Sequence, residues 1–157
     1  SKKQQGIWEN DITEIGYKYQ MTDISASLGL AALDEFDMII SKRRNLLLAY
    51  QKHLSGSIDG LKYYSGKADS SDYEHGAWLC TIRVKDRLKL QKKLYSYGIE
   101  TNQVHYRNDR YSIFKNAEAK NLKNMDDVED EYLVLPLHTK MDINHVEKIC
   151  DVIKSGW

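Results

Sequence analysis

A helical period running from Thr22 to Leu54 constrains this chain more than any other feature. Apolar residues stand at Ile24, Leu28, Ala31, Ala32, Phe36, Ile39 and Ile40, and again at Leu46, Leu47, Tyr50 and Leu54. That is helical spacing over about nine turns. Thr22 suits an N-cap, Asp23 suits the positive end of the helix dipole, and Gly56 is a plausible stop. So long a helix is expected to bend near Asp34–Asp37. Lys42, Arg43 and Arg44 interrupt the apolar pattern. Consecutive residues fan out around a helix, so they read as a solvated face.

After this helix the period changes. Leu61–Tyr64 reads as a short strand, residues 65–76 as a polar loop, and Ala77–Val84 as an alternating strand. Asp86–Tyr97 reads as a helix with Leu88, Leu90, Leu94 and Tyr95 inward and Gly98 closing it. Ile99–Tyr106 is expected as another strand. A loop with a short helix near Ser112–Ala119 follows, then a helix over Asp126–Leu133 whose acidic residues form a solvated face. Leu135–Leu137 is a short extended piece. Asp142–Lys154 is an amphipathic helix carrying Ile143, Val146, Ile149, Cys150 and Ile153 on one stripe. The order predicts an α+β fold, a small mostly antiparallel sheet of three or four strands covered by helices. The step across 77–106 is open to a parallel or an antiparallel arrangement.

Composition removes several classes of function. Lys+Arg and Asp+Glu both number 23, so there is no basic footprint for nucleic acid or an anionic membrane. No apolar run approaches the ~20 residues that span a bilayer. The opening SKKQQGIWEND lacks the apolar stretch of a signal peptide, and a cytoplasmic protein is expected. Cys80 and Cys150 read as buried free thiols. No two histidines stand at metal-ligand spacing, so no metal site is expected. Residues 1–21 form an irregular lead-in whose apolar anchors, Ile7, Trp8, Ile12 and Ile15, need a surface to cover them.

Four segments occur in a telling order: WENDITEIGYKYQMTDISASLGLAALDEFD, SKRRNLLLAYQKHL, GIETNQVHYRNDRYSIF and VLPLHTKMDINHVEKICDVI. Together they cover most of the chain. They resemble the C-terminal part of the DegT/DnrJ/StrS-type sugar-nucleotide aminotransferases, which use pyridoxal phosphate. The resemblance implies that residues 22–157 are the small C-terminal domain of an aspartate-aminotransferase-type fold, and residues 1–21 a lead-in and interface segment. It implies a homodimer, a nucleotide-linked keto-sugar as amino acceptor, an amino donor such as glutamate, and a place in amino-sugar biosynthesis for cell-surface polysaccharide. The family's Schiff-base lysine lies upstream of the first motif, so a cofactor domain is expected before Ser1, and this chain alone is expected to be inactive.

The resemblance also assigns residues. The segment matching 16–21 reaches the neighbouring subunit's cofactor phosphate. The usual GYNYR carries Asn at the third place, where this chain has Lys18, with Gln20 two residues later. Either suits a phosphate. His105, Arg107, Arg110 and Tyr111 lie in a loop at the end of a segment read as a strand, where side chains often line sites. The two arginines are expected at the diphosphate of the sugar nucleotide. The competing reading is an ordinary polar loop. His138 faces the same site or is a hydrogen-bonded structural histidine. Tyr17 and Tyr19 are expected to point away from Lys18 and to serve packing. Two other functions stay open: a pyridoxal-phosphate sugar dehydratase of the same family, and a free-standing α+β binding or oligomerisation module.

Overall fold

A computed structural model describes residues 14–56, 58–63, 65, 75–114 and 122–157. It divides into two compact units, Ser1–Glu35 and Phe36–Trp157. The anchors Ile7, Trp8 and Ile12, Tyr64, most of the loop 65–76 and the end of the helix near Ser112–Ala119 lie outside the described residues.

In the first unit, helix α1 spans Asp23–Asp34, and the Thr22 side chain caps it by accepting from the Ser25 N–H. None of its residues is buried, and Ile24, Leu28, Leu30 and Leu33 are all exposed. The expected single helix is two helices. Glu35 ends α1, and α2 spans Phe36–Leu54. Asp37 falls in the first turn of α2, where the dipole favours it, whereas Asp34 closes α1 against the dipole with no basic residue in its last turn.

The second unit carries the core. Strands β1 (Leu61–Tyr63), β2 (Cys80–Val84) and β3 (Tyr132–Leu135) form an antiparallel three-stranded sheet in that order. The register is set by burial. Leu61 faces Val84, Ile82 faces Leu133 and Cys80 faces Leu135, each a pair of buried side chains. A slip of β2 by one residue would turn Cys80, Ile82 and Val84 to the other face. Against this face pack Leu46, Leu47, Tyr50 and Leu54 of α2, Leu90 and Leu94 of α3 (Arg87–Ser96), and Val146, Ile149, Cys150 and Ile153 of α5 (Ile143–Lys154). Tyr50 is fully buried and donates its hydroxyl to the Pro136 carbonyl at 2.9 Å. Burial raises its phenol pKa well above the ordinary range.

Helix ends follow the sequence closely. Gly98 lies at φ +72°, its N–H bonds the Tyr95 carbonyl, and the Ile99 N–H bonds the Leu94 carbonyl. That is a Schellman stop, which glycine permits. Asp142 and His145 form a reciprocal capping box on α5.

Four expectations are corrected. Leu88 and Tyr95 are exposed, because inward residues on α3 recur at i, i+4 and only Leu90 and Leu94 share that row. Ile143 is likewise partly exposed at the start of α5. Residues 99–106 form no strand beyond a single bridge, Asn102 to Val134, because Val104 adopts φ +65°. The third place in the sheet goes to Tyr132–Leu135, so Asp126–Leu133 is no helix. Only α4 (Lys123–Asp126) is helical there, and turns lead from it into β3.

Candidate functional site

In the first unit, residues 15–22 lie in no helix or strand and are exposed. Tyr17 and Tyr19 lean together, with ring centroids 5.4 Å apart, and Lys18 and Gln20 flank the second of them. The two side chains carry an ammonium and an amide, both hydrogen-bond donors suited to phosphate oxygens.

In the second unit, residues 102–114 form a fixed loop. Its start is stapled twice: Gln91 Nε2 donates to the Thr101 carbonyl at 2.7 Å, and the Val134 N–H donates to the Asn102 carbonyl at 2.8 Å. A γ-turn follows. The His105 N–H bonds the Gln103 carbonyl at 2.8 Å across Val104, a β-branched residue at positive φ. That conformation costs on the order of 1–3 kcal/mol and persists only where its surroundings impose it. Here Gln103 Nε2 donates to the Glu129 carbonyl and the Tyr132 hydroxyl to the His105 carbonyl.

Arg107 is the loop's centre and is buried, at 8% exposure. Its Nε and Nη2 fork onto Asp109 at 2.9 and 2.7 Å, and Nη1 donates to Asp126 at 2.6 Å and Glu129 at 2.8 Å. These bonds engage all three guanidinium nitrogens. Arg110 Nη2 joins Glu129 at 3.0 Å. The bond from Arg107 holds the Asp109 carboxyl below its ordinary range, and the bond from Arg110 does the same for Glu129. Arg107, expected at a diphosphate, is therefore the structural hub of the loop. Its neighbours are acidic, so an anion there would have to displace carboxylates. The helix face expected at Asp126–Leu133 supplies two of those carboxylates instead. Arg110 is about half exposed, and Tyr111 presents its ring to Tyr106 edge-on at 5.3 Å.

His105 is exposed and meets a residue that sequence reasoning did not single out. Trp78 lies 5.8 Å from it, centroid to centroid, with the planes at 56°. Nothing in an alternating apolar run distinguishes an outward tryptophan from an inward one. Arg43 and Arg44, read as solvated, instead hold this segment. Arg43 donates to the Ala77 and Trp78 carbonyls at 2.7 and 2.6 Å, and Arg44 to the His75 carbonyl at 2.7 Å. The Ala77 N–H bonds His75 Nδ1 at 2.8 Å, and Ala77 sits at φ +47°.

His138 is placed apart from the loop residues. It is exposed and lines a groove of about 670 Å³ with Lys140, His145 and Lys148. Beside Trp78 lies a smaller hollow of about 260 Å³, and Glu100 and Pro136 belong to the walls of both. Cys80 and Cys150 are buried free thiols. Burial raises both pKa values, that of Cys150 to about 12.

The motifs, the capped helices and this three-stranded antiparallel sheet belong to one class. The chain is a member of the DegT/DnrJ/EryC1/StrS aminotransferase family, whose sequence profile matches residues 1–154. It is 34% identical over 95 residues to a GDP-perosamine synthase of Escherichia coli O157:H7, covering 59% of this chain and 24% of that protein. It is 24% identical over 172 residues to a UDP-4-amino-4,6-dideoxy-N-acetyl-beta-L-altrosamine transaminase of Campylobacter jejuni, covering 95% and 40%. Its fold is that of the sugar aminotransferase CalS13 from Micromonospora echinospora, with a TM-score of 0.84 at 29% identity over 94% of this chain and 38% of that one. The chain thus spans about 40% or less of the length of these relatives.

Proposed function

We propose that this chain forms the small C-terminal domain, with residues 1–21 as its interface segment, of a pyridoxal-phosphate-dependent aminotransferase acting on a nucleotide-linked keto-sugar. The observation that carries the reading is the family match over residues 1–154, in a chain whose relatives are named for amino-sugar formation on GDP and UDP carriers. When bound, pyridoxal phosphate carries an amino group from a donor such as glutamate to the sugar's keto carbon. Lys18 and Gln20 fit its phosphate, because both are hydrogen-bond donors on an exposed segment. In a homodimer they reach the neighbouring subunit's cofactor. Arg110, His105 and Tyr111 face the sugar nucleotide, and Arg107 holds that loop in shape without touching the ligand. His138 lies on the adjoining groove, which shares Glu100 and Pro136 with the hollow beside Trp78, and serves the sugar end. The enzyme works in the cytoplasm, where sugar nucleotides are made.

The test is product analysis on the assembled enzyme, with glutamate as donor and UDP- and GDP-linked keto-sugars as acceptors. An amine in place of the carbonyl oxygen supports the reading. Loss of a hydroxyl without gain of nitrogen would favour the dehydratase. No turnover with any nucleotide-linked sugar would reject both and leave a binding or oligomerisation module.

A further inference from the structure

The nucleotide-sugar reading leaves an exposed tryptophan unexplained, and the backbone around it is unusual. Trp78 keeps 65% of its surface open to solvent while its ring leans on His105 at 5.8 Å. Each ring of the pair sits one residue beyond a strained non-glycine position, Ala77 at φ +47° and Val104 at φ +65°. Each segment is also tied by side chains donating to its carbonyls. Arg43 grips Ala77 and Trp78, and the Tyr132 hydroxyl grips His105. Such strain persists where structure over-determines it and collects at ligand clamps.

The hollow beside the indole narrows the ligand. Its volume is about 260 Å³, below the ~300–1,000 Å³ of sites for drug-sized molecules, so it suits one ring and not a whole sugar nucleotide. Val104, Val134, Leu135 and Pro136 make much of its wall, with Asn102 and Glu100 as polar members. A nucleobase presents an apolar face and keeps its donors and acceptors on its edge. Thr101 also belongs to this wall. Its hydroxyl is the one buried side-chain polar atom without a hydrogen-bond partner among the described residues.

We propose that Trp78, braced by His105, is the stacking face for the base of the nucleotide-linked substrate. This rests on the nucleotide-sugar reading and assigns its base end, leaving the diphosphate to the side of the loop that carries Arg110.

The experiment follows the indole N–H of Trp78 by ¹H–¹⁵N correlation in the assembled enzyme, with Trp157 as internal control. The probes are UDP, GDP, ribose 5-phosphate and glucose 1-phosphate. A saturable shift of Trp78 with UDP or GDP, absent with the two sugar phosphates, is expected. Trp78→Ala should weaken that nucleotide's binding about five- to a hundredfold, the range of base–aromatic stacking, and Trp78→Phe should recover part of it. Shifts in residues 105–111 with a silent Trp78 and unchanged affinity in Trp78→Ala would overturn the stacking face and leave the nucleotide-sugar reading standing. Equal shifts with glucose 1-phosphate would overturn the base assignment. A Trp78 shift that follows protein concentration and not nucleotide would mean that another copy covers the indole, which also overturns it. No binding of either nucleotide would overturn the stacking face together with the reading beneath it.

Discussion

A guanidinium among three carboxylates shapes its loop only while those carboxylates are ionised. Asp109 and Glu129 have folded-state pKa values below their ordinary ones, so in acid the unfolded chain binds more protons than the folded one. Their stabilisation is complete above the ordinary carboxylate range and is lost as pH falls through the lowered values. Amide exchange across residues 103–114, followed from about pH 6 to about pH 3, should show protection vanishing at the acid end. Glu129→Gln should loosen the loop already at pH 6, and an unchanged profile would remove Glu129 from the hub. At Arg110, alanine should raise the sugar-nucleotide KM of the assembled enzyme a few-fold while the half-reaction with the amino donor stays as it was. Arg107→Lys should harm the loop nearly as much as Arg107→Ala, because an ammonium cannot fork onto Asp109. Lys18→Ala or Gln20→Ala should weaken cofactor retention roughly ten- to a hundredfold, the worth of a charge-assisted bond of about 1.5–3 kcal/mol. Mixing either variant with a subunit lacking the anchoring lysine should restore one working site per dimer; wild-type retention in both single variants would remove residues 16–21 from the phosphate. At this scale the sequence was least transparent. Arg107 and its partners Asp126 and Glu129 lie too far apart in the chain for spacing to pair them. Nothing local marks Val104 for positive φ, since it is neither glycine nor asparagine.

The start of α1, the end of α3 and the stripe of α5 were legible, because a threonine cap, a glycine stop and a 3.6-residue period are written in neighbouring residues; the break at Glu35 and the absence of a helix over Asp126–Leu133 were not. Two strands, β1 and β2, were legible as well, but the third was not. Residues 99–106 and 132–135 are both rich in strand formers, and only the pairing of Leu133 with Ile82 and Leu135 with Cys80 decides between them. That is a tertiary choice which local propensity cannot make. The core these elements share gives two measurable expectations. Leu94→Ala removes a fully buried side chain from the contact of α3 with the core and should cost about 2–5 kcal/mol, read from the urea midpoint. Cys80 and Cys150 should resist thiol reagents near pH 8 in the folded protein and react at once in denaturant, since burial keeps both thiols protonated. Rapid labelling of the native protein would contradict the closed core.

For the molecule as a whole, α1 leaves Ile24, Leu28, Leu30 and Leu33 exposed, more apolar surface than a solitary helix tolerates in water. The 157-residue chain should self-associate with rising concentration in light scattering, and Leu28→Glu with Leu33→Glu should reduce it. A monomer at all concentrations would speak for a self-sufficient module. Titrated with pyridoxal phosphate, the same chain should show no saturable adduct that borohydride traps on a single lysine. The architecture also tolerates change at one place. β2 and β3 are neighbours in the sheet, yet everything from Ile99 to Glu131 leaves and returns between them, pinned near its exit by the bridge of Asn102 to Val134. Among the described residues, the bonds from Arg107, Arg110 and Gln103 to Asp109, Asp126 and Glu129 begin and end inside it, while Arg83, Arg87 and Tyr132 tether it. It can lengthen at a cost that grows only with the logarithm of its length, without disturbing a core contact. Residues 103–114 and 122–131 therefore sit outside the packing of the sheet, and changes of length or sequence there should leave the folding of the core alone.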